Sequence, residues 1–226
     1  MGCDIHAYLE FYNNQVVAKN KDEDSFFANY WVDVFSTDIA FHRNYQLFNI
    51  MSNGVRGIGG GFDAKGLPTT PKLSWNVASK YYLRVIDDIQ YEHSHTSNFY
   101  NSQKIIIKSE ADKHIEKGII TTTYKGETYI ANPDWHSTNY LDLKEMIEVR
   151  RKYLIETIKY GDIAGSYTGK KRKEAIKKLE ESDEYDLMKN SFVEIECASL
   201  NATIAAMIAI EKSGDYKTRL IFWFDS

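Results

Sequence analysis

Residues 3–11 alternate without a break, with Cys3, Ile5, Ala7, Leu9 and Phe11 on one side and Asp4, His6, Tyr8 and Glu10 on the other. A period of two is the strand period, so this stretch belongs in a sheet with one buried face. Its counterpart lies at the far end of the chain. Arg219 to Phe224 is a nearly continuous apolar run and reads as a buried strand. Between them the apolar spacing is mostly helical. Strands at both ends and in the middle, with helices between, predict an α+β fold. It has one mixed or antiparallel sheet, packed against helices, in which the N- and C-terminal strands are neighbours.

The intervening segments fill in that frame. Asn13-Asn14 is a turn signal, with Val16-Val17-Ala18 as hairpin partner, and Trp31 to Phe35 is a third short strand. Leu47, Phe48, Ile50 and Met51 predict a short helix ended by Asn53-Gly54. Gly54 to Pro71, rich in glycine, is a long loop. Val77, Tyr81, Val85 and Ile89 predict a helix over 75–89. Residues 103–117 fit either a helix or a strand followed by a helix. Ile119 to Tyr124 and Thr128 to Ala131 flank Lys125-Gly126 as a hairpin. Asp142 caps a helix with Glu145 three residues on. Lys170 to Glu181 is a charged helix. Leu187 to Lys212 is a long helix, apolar nearly all round in its second half, and therefore central.

At 226 residues the chain is long enough for a sizeable core, and one domain over 1–226 is expected. A formal net charge of −4 argues against duplex nucleic acid as partner, because binding to bulk phosphate needs a basic face. A small phosphorylated ligand needs only a few local cations. Cys3 and Cys197 are the two cysteines, without CxxC spacing, which fits a reducing cytoplasm. No secretory signal is expected at the N-terminus. The stretch from Cys197 to Ile210, interrupted by Ser199, Asn201 and Thr203, is too short to span a membrane. The opening Met-Gly-Cys has His6 where an acylation signal takes Ser or Thr, so no lipid anchor is expected.

Two Asp-x-His pairs carry the chemistry. On a strand, Asp4 and His6 point the same way, and a carboxylate beside an imidazole makes a general acid or base. The pair could equally hold a divalent metal or be the polar face of an edge strand. Asp134-Trp135-His136-Ser137 repeats the spacing in a predicted loop, where the bland alternative is an Asp-turn. Arg43 and Arg56 offer bidentate contacts to phosphate, and Tyr45 offers a ring to stack on a base. Gly57-Ile58-Gly59-Gly60-Gly61 lacks the third glycine of a dinucleotide loop and the G-K-[ST] ending of a phosphate loop. His93-Ser94-His95 reads as a polar loop, and Lys170-Lys171-Arg172-Lys173 as a solvated helix face.

Several motifs together carry a resemblance. They are Met1-Gly2-Cys3-Asp4-Ile5-His6, Arg43-Asn44-Tyr45-x-Leu47-Phe48, Val55-Arg56, Gly66-Leu67-Pro68, Asp134-x-His136-Ser137 with Tyr140-Leu141, and the terminal Phe222-Trp223-Phe224-Asp225. In this order they resemble a widespread family of small phage and prophage proteins. Tyr140 stands where that family usually has Trp, and the region 90–125 is longer. The resemblance implies an accessory factor in the cytoplasm of an infected bacterium, of the kind that counters host defence by cleaving or sequestering a nucleotide signal. His6 and His136 would then be acid and base, and Asp4 and Asp134 would orient them or bind metal. Arg43, Asn44, Tyr45, Arg56, Ser137 and Tyr140 would hold the ligand. A nucleotide-binding sponge, a protein-binding inhibitor and a homo-oligomer remain open alternatives.

Overall fold

In a computed structural model of the protein, residues 3–13, 31–35, 39, 41, 43–53, 55, 60–68, 73–89, 104–160, 168–183 and 198–225 are described. Their elements run in order β1 (Ile5–Asn13), β2 (Trp31–Asp33), α1 (Tyr45–Met51), α2 (Trp75–Tyr81), β3 (Tyr82–Ile86), β4 (Ile105–Ile107), α3 (Lys108–Glu116), β5 (Thr121–Tyr124), β6 (Glu127–Ala131), β7 (His136–Asp142), α4 (Leu143–Tyr160), α5 (Gly169–Glu181), α6 (Ala198–Ser213) and β8 (Tyr216–Phe224). The fold is α+β. β1 pairs antiparallel with β8 along its whole length, from Ile5 opposite Phe224 to Asn13 opposite Tyr216. The terminal strands are thus neighbours, flanked by β2 and β7 in the order β2-β1-β8-β7.

Where the sequence pattern suggested one sheet, the remaining strands form a second, in the order β4-β3-β6-β5. The reason lies on β8, which is apolar on both faces. Leu220, Phe222 and Phe224 join Ile5, Ala7 and Leu9 against helical residues such as Phe48, Met146, Leu154 and Ile204. Ile221 and Trp223 join Tyr8 on the opposite face, against Val77, Tyr81, Tyr82, Tyr129 and Ala131 of α2 and the second sheet. Each large side chain buried in this way contributes about 1.5–3 kcal/mol.

That second layer corrects the reading of β1 as a strand with one buried face. Tyr8 is 4% exposed and Glu10 is fully buried. Alternation in the chain reports polarity, and the second layer covers the polar side from Tyr8 onward.

Other expectations resolve similarly. The predicted helix over 75–89 ends at Tyr81 and continues as β3, because Tyr82 turns extended and pairs with Ala131. Val77, Tyr81 and Val85 mimic a helical stripe across that junction. Residues 105–116 are strand, then helix. The β5–β6 hairpin turns at Lys125 (φ 48°) and Gly126 (φ 79°), the two positive φ values that a twisted two-residue hairpin needs. Asp142 and Glu145 exchange reciprocal hydrogen bonds of 2.8 and 3.0 Å, a complete capping box at the start of α4. Val16–Ala18, Arg56, His93, His95 and Leu187–Cys197 lie outside the described residues. Among the described residues no helix is long and apolar enough to cross a membrane.

Candidate functional site

The β1–β8 ladder ends at the pair Ile5–Phe224, and the next residues, Asp4 and Asp225, stand opposite each other. The Asp225 N–H donates to the Asp4 carbonyl at 3.2 Å, and the Asp4 N–H donates to Asp225 Oδ1 at 2.8 Å. The Asp225 carboxylate therefore closes the ladder and is held at its edge. His6 lies opposite Trp223, which makes Asp225 its diagonal neighbour, a separation that long side chains bridge. His6 Nε2 sits 3.4 Å from Asp225 Oδ2, and the two side chains are 26% and 35% exposed. The imidazole rests against Trp135, with ring centroids 4.8 Å apart, and stacks on Trp223 at 6.2 Å.

Asp4 does not orient His6 as the spacing suggested. Residues i and i+2 share a face, but their Cα atoms are about 6.6 Å apart along the strand, and a cross-strand neighbour is better placed. Asp4 instead takes Arg43 side-on, with Nε donating to Oδ1 at 2.5 Å and Nη2 to Oδ2 at 2.7 Å. The hydrogen-bonded guanidinium holds the Asp4 carboxyl below the usual carboxylate range. Asp4 in turn raises the proton affinity of Arg43.

His136 approaches from the other side of β8. It opens β7 opposite Phe224 and stacks on that ring at 6.0 Å. Its Nε2 is 3.3 Å from the Asp225 carbonyl, and its Nδ1 is 3.1 Å from the Ser137 hydroxyl. A consistent proton assignment has Nε2–H donating to the carbonyl and the hydroxyl donating to Nδ1. The bend that permits this is the register shift between His136 and Asn139, where Ser137 has φ 49°. Ser52 Oγ fixes it by donating to the Ser137 carbonyl at 3.1 Å.

Asp4, His6, Arg43, His136 and Ser137 therefore meet around Asp225. The other candidates do not join them. Asp134 is exposed in the preceding turn, its N–H taken by Asn132 Oδ1 at 3.1 Å, and no hydrogen bond or ion pair joins it to His136. Asn44 is structural: its Oδ1 caps α1 at Leu47 N, and its Nδ2 donates to the Tyr153 hydroxyl at 2.7 Å. Tyr140 lies further down the ladder, opposite Ile221 and beneath Lys65, whose Nζ is 4.7 Å from the ring centre. Tyr45 is 38% exposed, packed edge-on against Phe48. Arg56 is outside the described residues.

Two residues central to the arrangement escape the sequence reading, which takes Asp225 only as the end of the terminal strand and Trp135 as a spacer. An acidic residue directly after a buried apolar run, on a strand expected beside Asp4, was the available signal for Asp225. Trp135 had none beyond its place between Asp134 and His136. Among the described residues no group of three or more His, Cys, Asp or Glu side chains is arranged to hold a metal ion. No family model, curated protein or solved structure matches this chain.

Proposed function

We propose that the open end of the β1–β8 ladder is an acid–base site for a small nucleotide, and that the protein hydrolyses a phosphodiester of that nucleotide. The observation carrying this reading is the His6–Asp225 pair, hydrogen-bonded yet open to solvent on both sides. Oriented by Asp225, the His6 imidazole takes a proton from an attacking water. The water oxygen bonds to phosphorus as the ester oxygen leaves and takes up the proton held by His6. His136 has both ring nitrogens engaged and acts as a positioning residue, setting the Asp225 backbone. Arg43 spends two N–H groups on Asp4 and, at 57% exposure, presents the rest of its fork to phosphate. The motif resemblance supports a nucleotide immune signal, cyclic ones included, as the substrate class.

A second reading, sequestration without turnover, is favoured by the neutralisation of Arg43 by Asp4 and by the engagement of His136. One experiment separates the two. The protein is incubated with cyclic dinucleotides and cyclic ADP-ribose isomers, heat-denatured, and the supernatant resolved by chromatography. Linear products that disappear in His6→Ala support hydrolysis. Intact nucleotide recovered after denaturation sinks hydrolysis and supports sequestration. A chain that neither converts nor retains any of these nucleotides sinks both.

A further inference from the structure

A groove of about 830 Å³ lies between α1 and α4, with Tyr45 of the Arg43-Asn44-Tyr45 motif on its wall. Its volume is in the range of small-molecule sites. From α1 come Tyr45, Gln46, Asn49 and Ile50, and from α4 come Lys152, Ile155, Glu156, Lys159 and Tyr160. The α4 spacing, i, i+3, i+4, i+7 and i+8, is one stripe of a helix. The walls are fixed to one another. Asn44 ties the start of α1 to Tyr153 of α4. At the other end the Phe62 N–H donates to the Ile50 carbonyl at 3.0 Å. Gly61 lies so close to α1 that a Cβ there would stand 1.9 Å from the Asn49 carbonyl oxygen. Lys152 closes this corner, its Nζ 4.8 Å from the Phe62 ring centre.

The lining is specific in kind. Ile50 and Ile155 give it an apolar part, and Tyr45 and Tyr160 bring rings that are 38% and 79% exposed. The charges balance: Lys152 and Lys159 are accompanied by Glu156 and Glu180, and Lys159 pairs with Glu156 at 3.5 Å. Such a rim does not select an anion. Asn49 is 5% exposed, and its Oδ1 is buried with no hydrogen-bond partner among the described residues. A buried acceptor without a donor is unfavourable, and a ligand N–H relieves it.

We infer that this groove seats a neutral, flat heteroaromatic ring bearing an N–H donor, namely the base of a nucleoside. The base stacks on Tyr45 and Tyr160, and Asn49 accepts its N–H. The inference deepens the nucleotide reading and rests on it for the ligand class. Tyr45 stands two residues after Arg43 in the chain.

The test uses the full chain with adenosine, purine riboside (which lacks the exocyclic amine) and ribose 5-phosphate. Titrations followed by NMR report affinity, and transferred NOEs report contacts. Adenosine is expected to contact the Tyr45 and Tyr160 rings and to bind roughly tenfold tighter than purine riboside. Tyr160→Ala, at an exposed position, is expected to weaken adenosine roughly tenfold without unfolding the chain, and Asn49→Leu to abolish the preference for adenosine. Adenosine that fails to bind, or binds Tyr160→Ala as well as wild type, overturns the inference. So does adenosine binding lost in His6→Ala but kept in Tyr160→Ala. Nucleotide hydrolysis by a protein with no groove binding overturns this inference alone. Groove binding without any turnover supports it and overturns hydrolysis.

Discussion

Toward its two ends the β1–β8 ladder carries two arginine–carboxylate pairs, and they are built in opposite ways. Toward one end, before the last pairs of the ladder, Glu10 lies opposite Arg219, and the pair is sealed, with side chains 0% and 5% exposed. Arg219 donates to Glu10 Oε2 at 2.7 and 2.8 Å and lies 3.7 Å over the Trp31 ring, while Glu10 Oε1 accepts the Ser74 N–H at 2.8 Å. Burial pulls the Arg219 guanidinium below its ordinary pKa, against the opposing pull of Glu10. At the other end Asp4 and Arg43 pair at 48% and 57% exposure, beside the open His6–Asp225 pair. The sealed end ties β2, α2 and both terminal strands together and leaves no room for a ligand. The open end keeps a charge network in contact with water, where a substrate can reach it. The same pairing of strands yields structure where the second layer covers it and a candidate site where that layer stops.

Breaking the sealed end gives the largest effect. Glu10→Ala removes the carboxylate paired with the buried Arg219 guanidinium and is expected to cost about 3–5 kcal/mol in chemical denaturation. Replacing both partners, Glu10→Met with Arg219→Met, is expected to recover more than about 1 kcal/mol of that loss. A single variant as stable as wild type would show that this end is not closed as described.

At the open end the effect moves from stability to chemistry. His6→Ala is expected to lower nucleotide turnover by about 10²–10⁴-fold while changing unfolding free energy by only about 1 kcal/mol, the scale of its ring contacts. Equal turnover in the variant would remove His6 from the acid–base role.

Ser137→Gly sharpens the contrast further. Glycine accepts φ 49° without strain, so stability is expected to hold or rise by up to about 1 kcal/mol. The hydroxyl partner of His136 is lost, and if His136 positions Asp225 the cost falls on kcat more than on KM.

The smallest effect is electrostatic. Asp4 titrates below the ordinary carboxylate range because Arg43 is hydrogen-bonded to it. Its folded-state pKa is depressed, so its contribution to stability is present above the unfolded carboxylate value and is lost as pH falls through the folded one. In Arg43→Ala, NMR titration should show Asp4 moving up towards the usual range, with the denaturation midpoint at neutral pH lowered only slightly, as for an exposed pair. An Asp4 titration unmoved by this substitution would mean that the pair does not form in solution.

Much of this contrast was legible in the chain. The period of two over residues 3–11 and the apolar run at 220–224 mark both strands, and the Asp142–Glu145 cap marks the start of α4 where it is found. His6, Asp4, Arg43, His136 and Ser137 were all singled out, because short motifs report residue type and spacing. What was lost is who partners whom. Asp4 binds Arg43 rather than orienting His6, Asp225 takes the orienting place, and Asn44 caps a helix. Tyr140 falls towards the sealed end. Each of these depends on cross-strand register, and the partners lie as far apart in sequence as positions 6 and 225.

The sequence by itself determined the elements whose causes are local: alternation for β1, turn chemistry for the β5–β6 hairpin, and reciprocal capping for α4. Only the tertiary structure decided that the strands form two sheets, that Glu10 is sealed while Asp4 stays open, and that two histidines meet at one aspartate. The physical reason is that burial and partnership are properties of the second layer. A polar residue in an alternating strand carries no mark of whether another sheet will cover it.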